Sequence, residues 1–259
     1  MDLRYPCMLD NALQSGQPFA VVTVVETAGS GPQKTGARLV MLADGSFSGT
    51  VGGGAIEHRL LELASLAIAD GRSQLVRLDL KKDVSMACGG AMTAFVEPVH
   101  PRQRVVVFGG GHVCRALAPV LVGVDFALTV VDDREEWTDP ADFPEGVKVV
   151  QQGFVEYCES HGAWDSDFAL VMTRGHSFDF EILHWLVSHR PAYLGILASK
   201  TKAAEFCQRL LQEGTTQQQL DEVYMPVGMP IGSVTPAEIG ISITAQLIRV
   251  RKDRAKKNS

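Results

Sequence analysis

The sequence predicts an α/β chain in two parts, an α+β domain over residues 1–100 followed by a parallel-sheet domain over residues 101–259. Three observations carry this. The apolar run Val105–Phe108 leads straight into Gly109, Gly110 and Gly111 and then into a helical stretch. About twenty residues later Leu128–Val131 ends in Asp132 and Asp133. The first hundred residues have another texture, in which β-branched runs are punctuated by glycine instead of alternating with helices.

Taken in order, Phe19–Glu26 reads as a strand from its β-branched content. Arg38–Met41 and Ser46–Ser48 read as two more, joined through a hairpin turn at Asp44 and Gly45. Gly52, Gly53 and Gly54 precede Ala55–Ala69, where Ile56, Leu60, Leu63 and Ala67 recur at helical spacing and Gly71 is the expected stop. Strands follow near Gln74–Leu78 and Met92–Val96, with the glycine-rich segment Met86–Gly90 between them carrying Cys88. Pro98–Arg102, with two prolines, is the expected linker.

In the second domain Val105–Phe108 is short and wholly apolar, as suits a strand buried on both faces of a parallel sheet. Gly109 and Gly111 occupy the first two glycine positions of G-x-G-x-x-G, where the turn must be tight and the backbone must approach a pyrophosphate at a helix N-terminus. Cys114 stands in the third. Asp132 and Asp133 fall where a carboxylate accepts hydrogen bonds from ribose hydroxyls, which makes the unit Rossmann-like. Val147–Val150, Phe168–Met172 and Tyr193–Ile196 are the further strands, joined to one parallel sheet by right-handed crossovers. Thr235, Pro236 and Glu238 supply an N-cap, a proline at N1 and a reciprocal glutamate at N3 for a last helix, with Ile239, Ile243, Leu247 and Val250 on one face.

The formal net charge of −6 over 259 residues excludes a general nucleic-acid binder, because the only basic run is Arg249–Lys257, read as the frayed end of a helix. The N-terminus lacks a basic region followed by an apolar core, and no run reaches bilayer length, so a cytoplasmic location without membrane contact is expected. The five cysteines contain no C-x-x-C pair, which speaks against a disulfide scaffold or a zinc site.

Ligands of open α/β sheets bind outside the carboxyl ends of the strands. Gly109–His112, Asp132, Asp133, the stretch from Thr173 to His176, Ser199 and Lys200 therefore share one rim. His112 and His176 read either as proton donors or as residues that pack at helix starts; Lys200 reads as a ligand contact or a solvated charge. On these residues alone a nicotinamide-dependent (NAD(P)) oxidoreductase and a nucleotide-sensing regulator both remain open.

Taken together, the triplet Gly52–Gly54, Cys88 with its two glycines, the segment Glu26–Arg38, the Phe108–Val113 loop, Val130–Arg134, Met172–His176, Ala198–Lys200 and Thr235–Ile239 resemble the XdhC/CoxI family of molybdenum hydroxylase accessory proteins. The resemblance covers nearly the whole chain and implies an XdhC/CoxI-type domain followed by a Rossmann-like domain, in a homodimer without turnover of its own. It also implies binding of molybdenum cofactor (molybdopterin, including the cytosine dinucleotide form), exchange of an oxo for a sulfido ligand with a cysteine desulfurase, and delivery to an apo molybdenum hydroxylase of the xanthine dehydrogenase or aldehyde oxidoreductase type. By the same resemblance, Gly52, Gly53, Gly54, Gly109, Gly110, Gly111, His112, Asp132, Asp133, His176 and Lys200 are expected to hold the cofactor, and Cys88 to contact sulfur or molybdenum. The other reading of Cys88 is a small buried apolar group. Ala55 stands where many relatives carry Cys, and Thr173–His176 departs from the His-Asp-His of many relatives, which points toward aldehyde-oxidoreductase-type clients.

Overall fold

The computed structural model describes residues 4–29, 34–79, 90–162 and 164–257. They form two compact units, one within residues 4–101 and one within residues 102–257. The first contains α1 (Tyr5–Gln14), β1 (Phe19–Gly29), β2 (Arg38–Leu42), β3 (Phe47–Gly49), α2 (Gly54–Asp70), β4 (Gln74–Asp79) and β5 (Gly90–Val99). Its strands pair antiparallel in the order β3-β2-β1-β5-β4.

Alternation along the strands decides which helix covers which face. Ala20, Val22, Val24, Leu39 and Met41 pack with Ile56, Leu60, Leu63 and Ala67 of α2. Phe19, Val21 and Val40 pack instead against Met8, Leu9 and Ala12 of α1, a helix the sequence reading did not include. α2 stops where Gly71 takes a left-handed conformation at φ 66°.

The expected linker begins earlier than the strand allows, because β5 runs through Pro98 to Val99. Pro98 is accommodated because the pairing with β4 reaches only to Val96, while pairing with β1 continues. Beyond Val96 the β4 side of β5 needs no donor.

The second unit contains β6 (Gln103–Phe108), α3 (His112–Gly123), β7 (Phe126–Asp132), β8 (Lys148–Gln151), α4 (Phe154–Ser160), β9 (Phe168–Val171), α5 (His176–His189), β10 (Tyr193–Ile196), α6 (Lys200–Gln212), α7 (Gln217–Asp221), β11 (Val223–Tyr224) and α8 (Pro236–Lys257). Its sheet is parallel throughout, in the order β11-β10-β9-β6-β7-β8. From β6 the chain builds outward through β7 and β8, then returns to the other side of β6 with β9, so the topological switch point lies between β6 and β9. Val105 and Val107 face α3 and α8; Val106 and Phe108 face α4, α5 and α6.

The capping box of α8 forms as the sequence signals: Glu238 Oε2 accepts from the Val234 and Thr235 N–H groups at 2.8 and 2.9 Å, and the Glu238 N–H donates to Thr235 Oγ1 at 3.3 Å. The basic tail differs from the frayed end expected of it. Arg251 donates to the Val124 carbonyl at 3.1 Å and lies over the Phe126 ring, and Arg254 donates to the Ala192 carbonyl at 3.1 Å. These cations clamp the helix to main-chain acceptors while their stems cover apolar surface. No helix among the described residues is long and apolar enough to cross a membrane.

Candidate functional site

The loop after β6 contains three glycines that neighbouring atoms constrain differently. Gly109 has φ +110°, and a Cβ there would lie 2.4 Å from the Met172 carbonyl oxygen at the end of β9. A Cβ on Gly110 would lie 2.3 Å from the Trp137 carbonyl oxygen. Gly111 is the N-cap of α3 with φ −65°, which any residue adopts, and a Cβ there would meet no atom within 4 Å. Its smallness leaves an open cradle in front of the helix, of the kind a phosphate fills.

No side chain caps α3, and none caps α5, which begins after Gly175 beyond β9. Two helix N-termini thus present backbone donors to the crevice on either side of the switch point. A cavity of about 300 Å³ opens there, lined by Gly111, His112, Val113, Cys114, Arg134, Trp137, Met172, Thr173, Arg174 and Leu197.

The carboxylates on the rim have different tasks. Asp132, expected to receive ribose hydroxyls, has 0% exposure: its carboxylate accepts from the Gly110 N–H at 2.9 Å and from Arg134 through Nε and Nη2, both at 2.9 Å. It props the glycine loop from inside, with both oxygens taken up by the protein's own donors. Asp133 is the exposed member, 28% accessible and held in a two-pronged pair by Arg174, which keeps its carboxyl below the usual carboxylate range.

Asp179 and Lys202 form a further pair that sequence reading missed. Asp179 Oδ1 accepts from the Thr173 N–H and Oγ1 at 2.9 and 2.6 Å, while Oδ2 receives Lys202 Nζ. Asp179 thereby fixes the 173–175 turn that carries Arg174. A signal was present: Asp179, Ile182, Leu183 and Leu186 fall at i, i+3, i+4 and i+7, so helical spacing puts this acid on the buried stripe. Trp137 was also missed. Its ring takes the edge of His112 at 5.1 Å and lies under Arg115 and Arg134 at 4.5 and 5.2 Å, closing one wall of the cavity.

Among the other residues expected to hold a ligand, His112 and His176 are exposed at the first positions of α3 and α5, and Lys200 is exposed at the start of α6. Burial pushes the Cys114 thiol up to about 12, so this residue packs between α3 and the sheet as a protonated, apolar group. In the first unit, Gly53 caps α2 at φ 70°, and Glu57 Oε2 accepts from Thr50 Oγ1, the Val51 N–H and the Gly53 N–H at 2.6, 3.0 and 3.3 Å. One of the loop donors expected to face a ligand, the Gly53 N–H, is therefore occupied by the protein's own carboxylate. Cys88 lies outside the described residues, as do residues 30–33 of the segment Glu26–Arg38. Among the described residues, no group of three or more His, Cys, Asp or Glu side chains is placed to hold a metal ion.

Comparison with known proteins adds the following. The model of the XdhC Rossmann domain matches residues 105–247, and that of the XdhC and CoxI family matches residues 12–79. The chain is 32% identical to uncharacterized protein YqeB of Escherichia coli K12 over 91% of its own length and 44% of that protein's. It is 27% identical to a probable xanthine dehydrogenase subunit of Bacillus subtilis 168, over 61% of this chain and 46% of that one. It is also 30% identical to the molybdenum cofactor insertion chaperone PaoD of E. coli K12, over 36% and 30% respectively. The chain thus spans less than half the length of the curated relatives it matches. A crystal structure described as a xanthine dehydrogenase from Bacillus halodurans shares the fold, with a TM-score of 0.53, 24% identity and 95% of each chain covered.

Proposed function

The chain belongs to the XdhC and CoxI family, and on that premise we propose that it is a molybdenum cofactor-binding chaperone for a molybdenum hydroxylase of the xanthine dehydrogenase or aldehyde oxidoreductase type. The observation that carries the reading is the open cradle at Gly111 beside the uncapped α3 and α5. Molybdopterin ends in a phosphate and its dinucleotide form contains a pyrophosphate, and either suits backbone donors at helix N-termini. In this proposal Gly109 and Gly110 shape the loop, Gly111 and the first turn of α3 receive the phosphate, and His112, His176 and Lys200 supply donors on the rim. Asp133, once Arg174 lets it go, is the acceptor a ribose can reach; Asp132 supports the loop.

Within the same proposal the chaperone acts as a homodimer. Cys88 serves the replacement of an oxo by a sulfido ligand with a cysteine desulfurase as sulfur source, and the cofactor then passes to the apo hydroxylase. The names of the B. subtilis relative and of PaoD agree with a hydroxylase client and with cofactor insertion. The deciding test is anaerobic binding of molybdenum cofactor to the full chain with NAD(H) as competitor. Near-stoichiometric molybdenum and pterin that equimolar NAD(H) does not displace are expected; saturable NAD(H) binding without cofactor retention would sink the proposal in favour of a nucleotide-binding enzyme or sensor. The Cys88→Ala variant is expected to retain cofactor and lose activation of the client, and unchanged activation would remove that residue from the mechanism.

A further inference from the structure

We propose that Arg174 and Asp133 are an exchangeable pair that selects ligands presenting a diphosphate beside a ribose diol, and hence a ribonucleoside diphosphate group. This deepens the chaperone reading and rests on it for the identity of the cargo. The sheet order places β6 between β9 and β7, so Arg174, just after β9, and Asp133, just after β7, join across the glycine loop that follows β6. Arg174 also lines the cavity in front of Gly111.

Among the described residues three carboxylate–cation pairs occupy this rim, and burial separates them. Asp132 with Arg134 and Asp179 with Lys202 have carboxylates that are 0% and 1% exposed, each also bound to main-chain N–H groups, so neither can be released without stranding a buried charge. Asp133 and Arg174 are 28% and 35% exposed. A pair this open contributes little to folding and can be opened by a ligand.

The chemistry of the two groups names the ligand. A guanidinium that grips a carboxylate through two parallel N–H donors grips a phosphate in the same way. Arg174 is ready for it, with its guanidinium over the Phe178 ring at 4.4 Å and its backbone turn anchored through Thr173 to Asp179. A phosphate alone would take Arg174 and leave Asp133 facing it, with Arg134 Nε at 3.9 Å as the nearest remaining cation. A vicinal diol satisfies the released carboxylate, since ribose hydroxyls donate to an acid at this strand end. Ligands that offer both groups complete the exchange.

The experiment is calorimetric titration of the full chain with CDP, with its 2′-deoxy analogue and with inorganic pyrophosphate, repeated on Asp133→Asn, Arg174→Gln and Arg174→Lys. CDP is expected to bind the unmodified chain about tenfold more tightly than either of the other probes, the effect of one charge-assisted hydrogen bond made or lost. Asp133→Asn should tighten pyrophosphate binding about threefold or more by freeing Arg174, and should erase the preference for CDP over its deoxy analogue. Arg174→Gln should weaken all three probes about tenfold, and Arg174→Lys, which keeps the charge without the fork, should recover only part of that. Pyrophosphate binding that weakens in Asp133→Asn, or a preference for the diol that survives it, overturns the inference. Retention of molybdenum cofactor by a chain that binds none of the three probes overturns it too and leaves the chaperone reading standing. Probe binding in the expected pattern by a chain that retains no cofactor supports the exchange and sinks the chaperone reading instead.

Discussion

Gly109, Gly110 and Gly111 differ in what a methyl group would meet, and so in what substitution should do. Gly111→Ala has open space and an ordinary φ, so the gain from restricting the unfolded chain, about 0.4–1 kcal/mol, roughly offsets the weaker N-cap, and the thermal midpoint should change little. Cofactor retention should nevertheless fall about tenfold, because the methyl group occupies the cradle. Gly110→Ala drives a Cβ onto the Trp137 carbonyl and should cost about 1–3 kcal/mol. Equal stability loss in both variants would show that Gly111 serves the fold and not a ligand. The buried thiols make a second prediction. Burial raises Cys114 and Cys158 from an ordinary 9.0 to about 12. In the folded chain both stay protonated where the unfolded chain would ionise them. Unfolding then releases protons, so stability should fall as pH rises from about 9 toward 12, visible in urea titrations at pH 8 and pH 10. At pH 8 a thiol reagent should modify the exposed Cys7 quickly and these two only on unfolding.

At the scale of elements, internal carboxylates hold the loops that precede the functional helices. Asp132 holds the turn into α3, Asp179 the turn into α5 and Glu57 the glycine turn into α2. Asp179→Ala would leave Lys202, with an 11% exposed side chain, without its partner and release Thr173, at a cost of about 3–5 kcal/mol. A chemical-denaturation midpoint unchanged by this substitution would refute the anchoring role. α8 presents a milder case, since Thr235→Ala removes one exposed hydroxyl cap and should cost about 1 kcal/mol. Strand and helix identity were legible at this scale because periodicity survives in the sequence: β1, β2, α2, β6, β7 and α8 lie where alternation, apolar runs or capping signals put them. The extension of β5 through Pro98 was not legible. Tolerance of proline there depends on where β4 ends, a fact about a different segment.

On the scale of the whole molecule, the two units bury separate cores. One lies on both faces of the antiparallel sheet, the other on both faces of the parallel sheet. Domains with their own cores unfold as their own cooperative units. Scanning calorimetry should therefore give a calorimetric enthalpy larger than the van't Hoff enthalpy. A ratio of one would mean that the units melt together.

The sequence by itself determined the fold class, the parallel sheet with its glycine loop and the rim where ligands bind, because local patterns encode element type and strand ends encode the ligand edge. It also carried the family, through motifs that keep their order along the chain. Tertiary structure alone decided which groups on that rim are free. Asp132 and Asp133 are adjacent in sequence and alike in chemistry, yet one is sealed under the loop and the other faces solvent. Strand pleating turns neighbours to opposite sides, and only the packed neighbours reveal which side is inside. Arg174, which the sequence already puts on the rim, acquires its pairing there, and Trp137 enters the site, for the same reason. Their partners, Asp133 across β6 and the Gly110 backbone, are 41 and 27 residues away in sequence, where no local pattern links them.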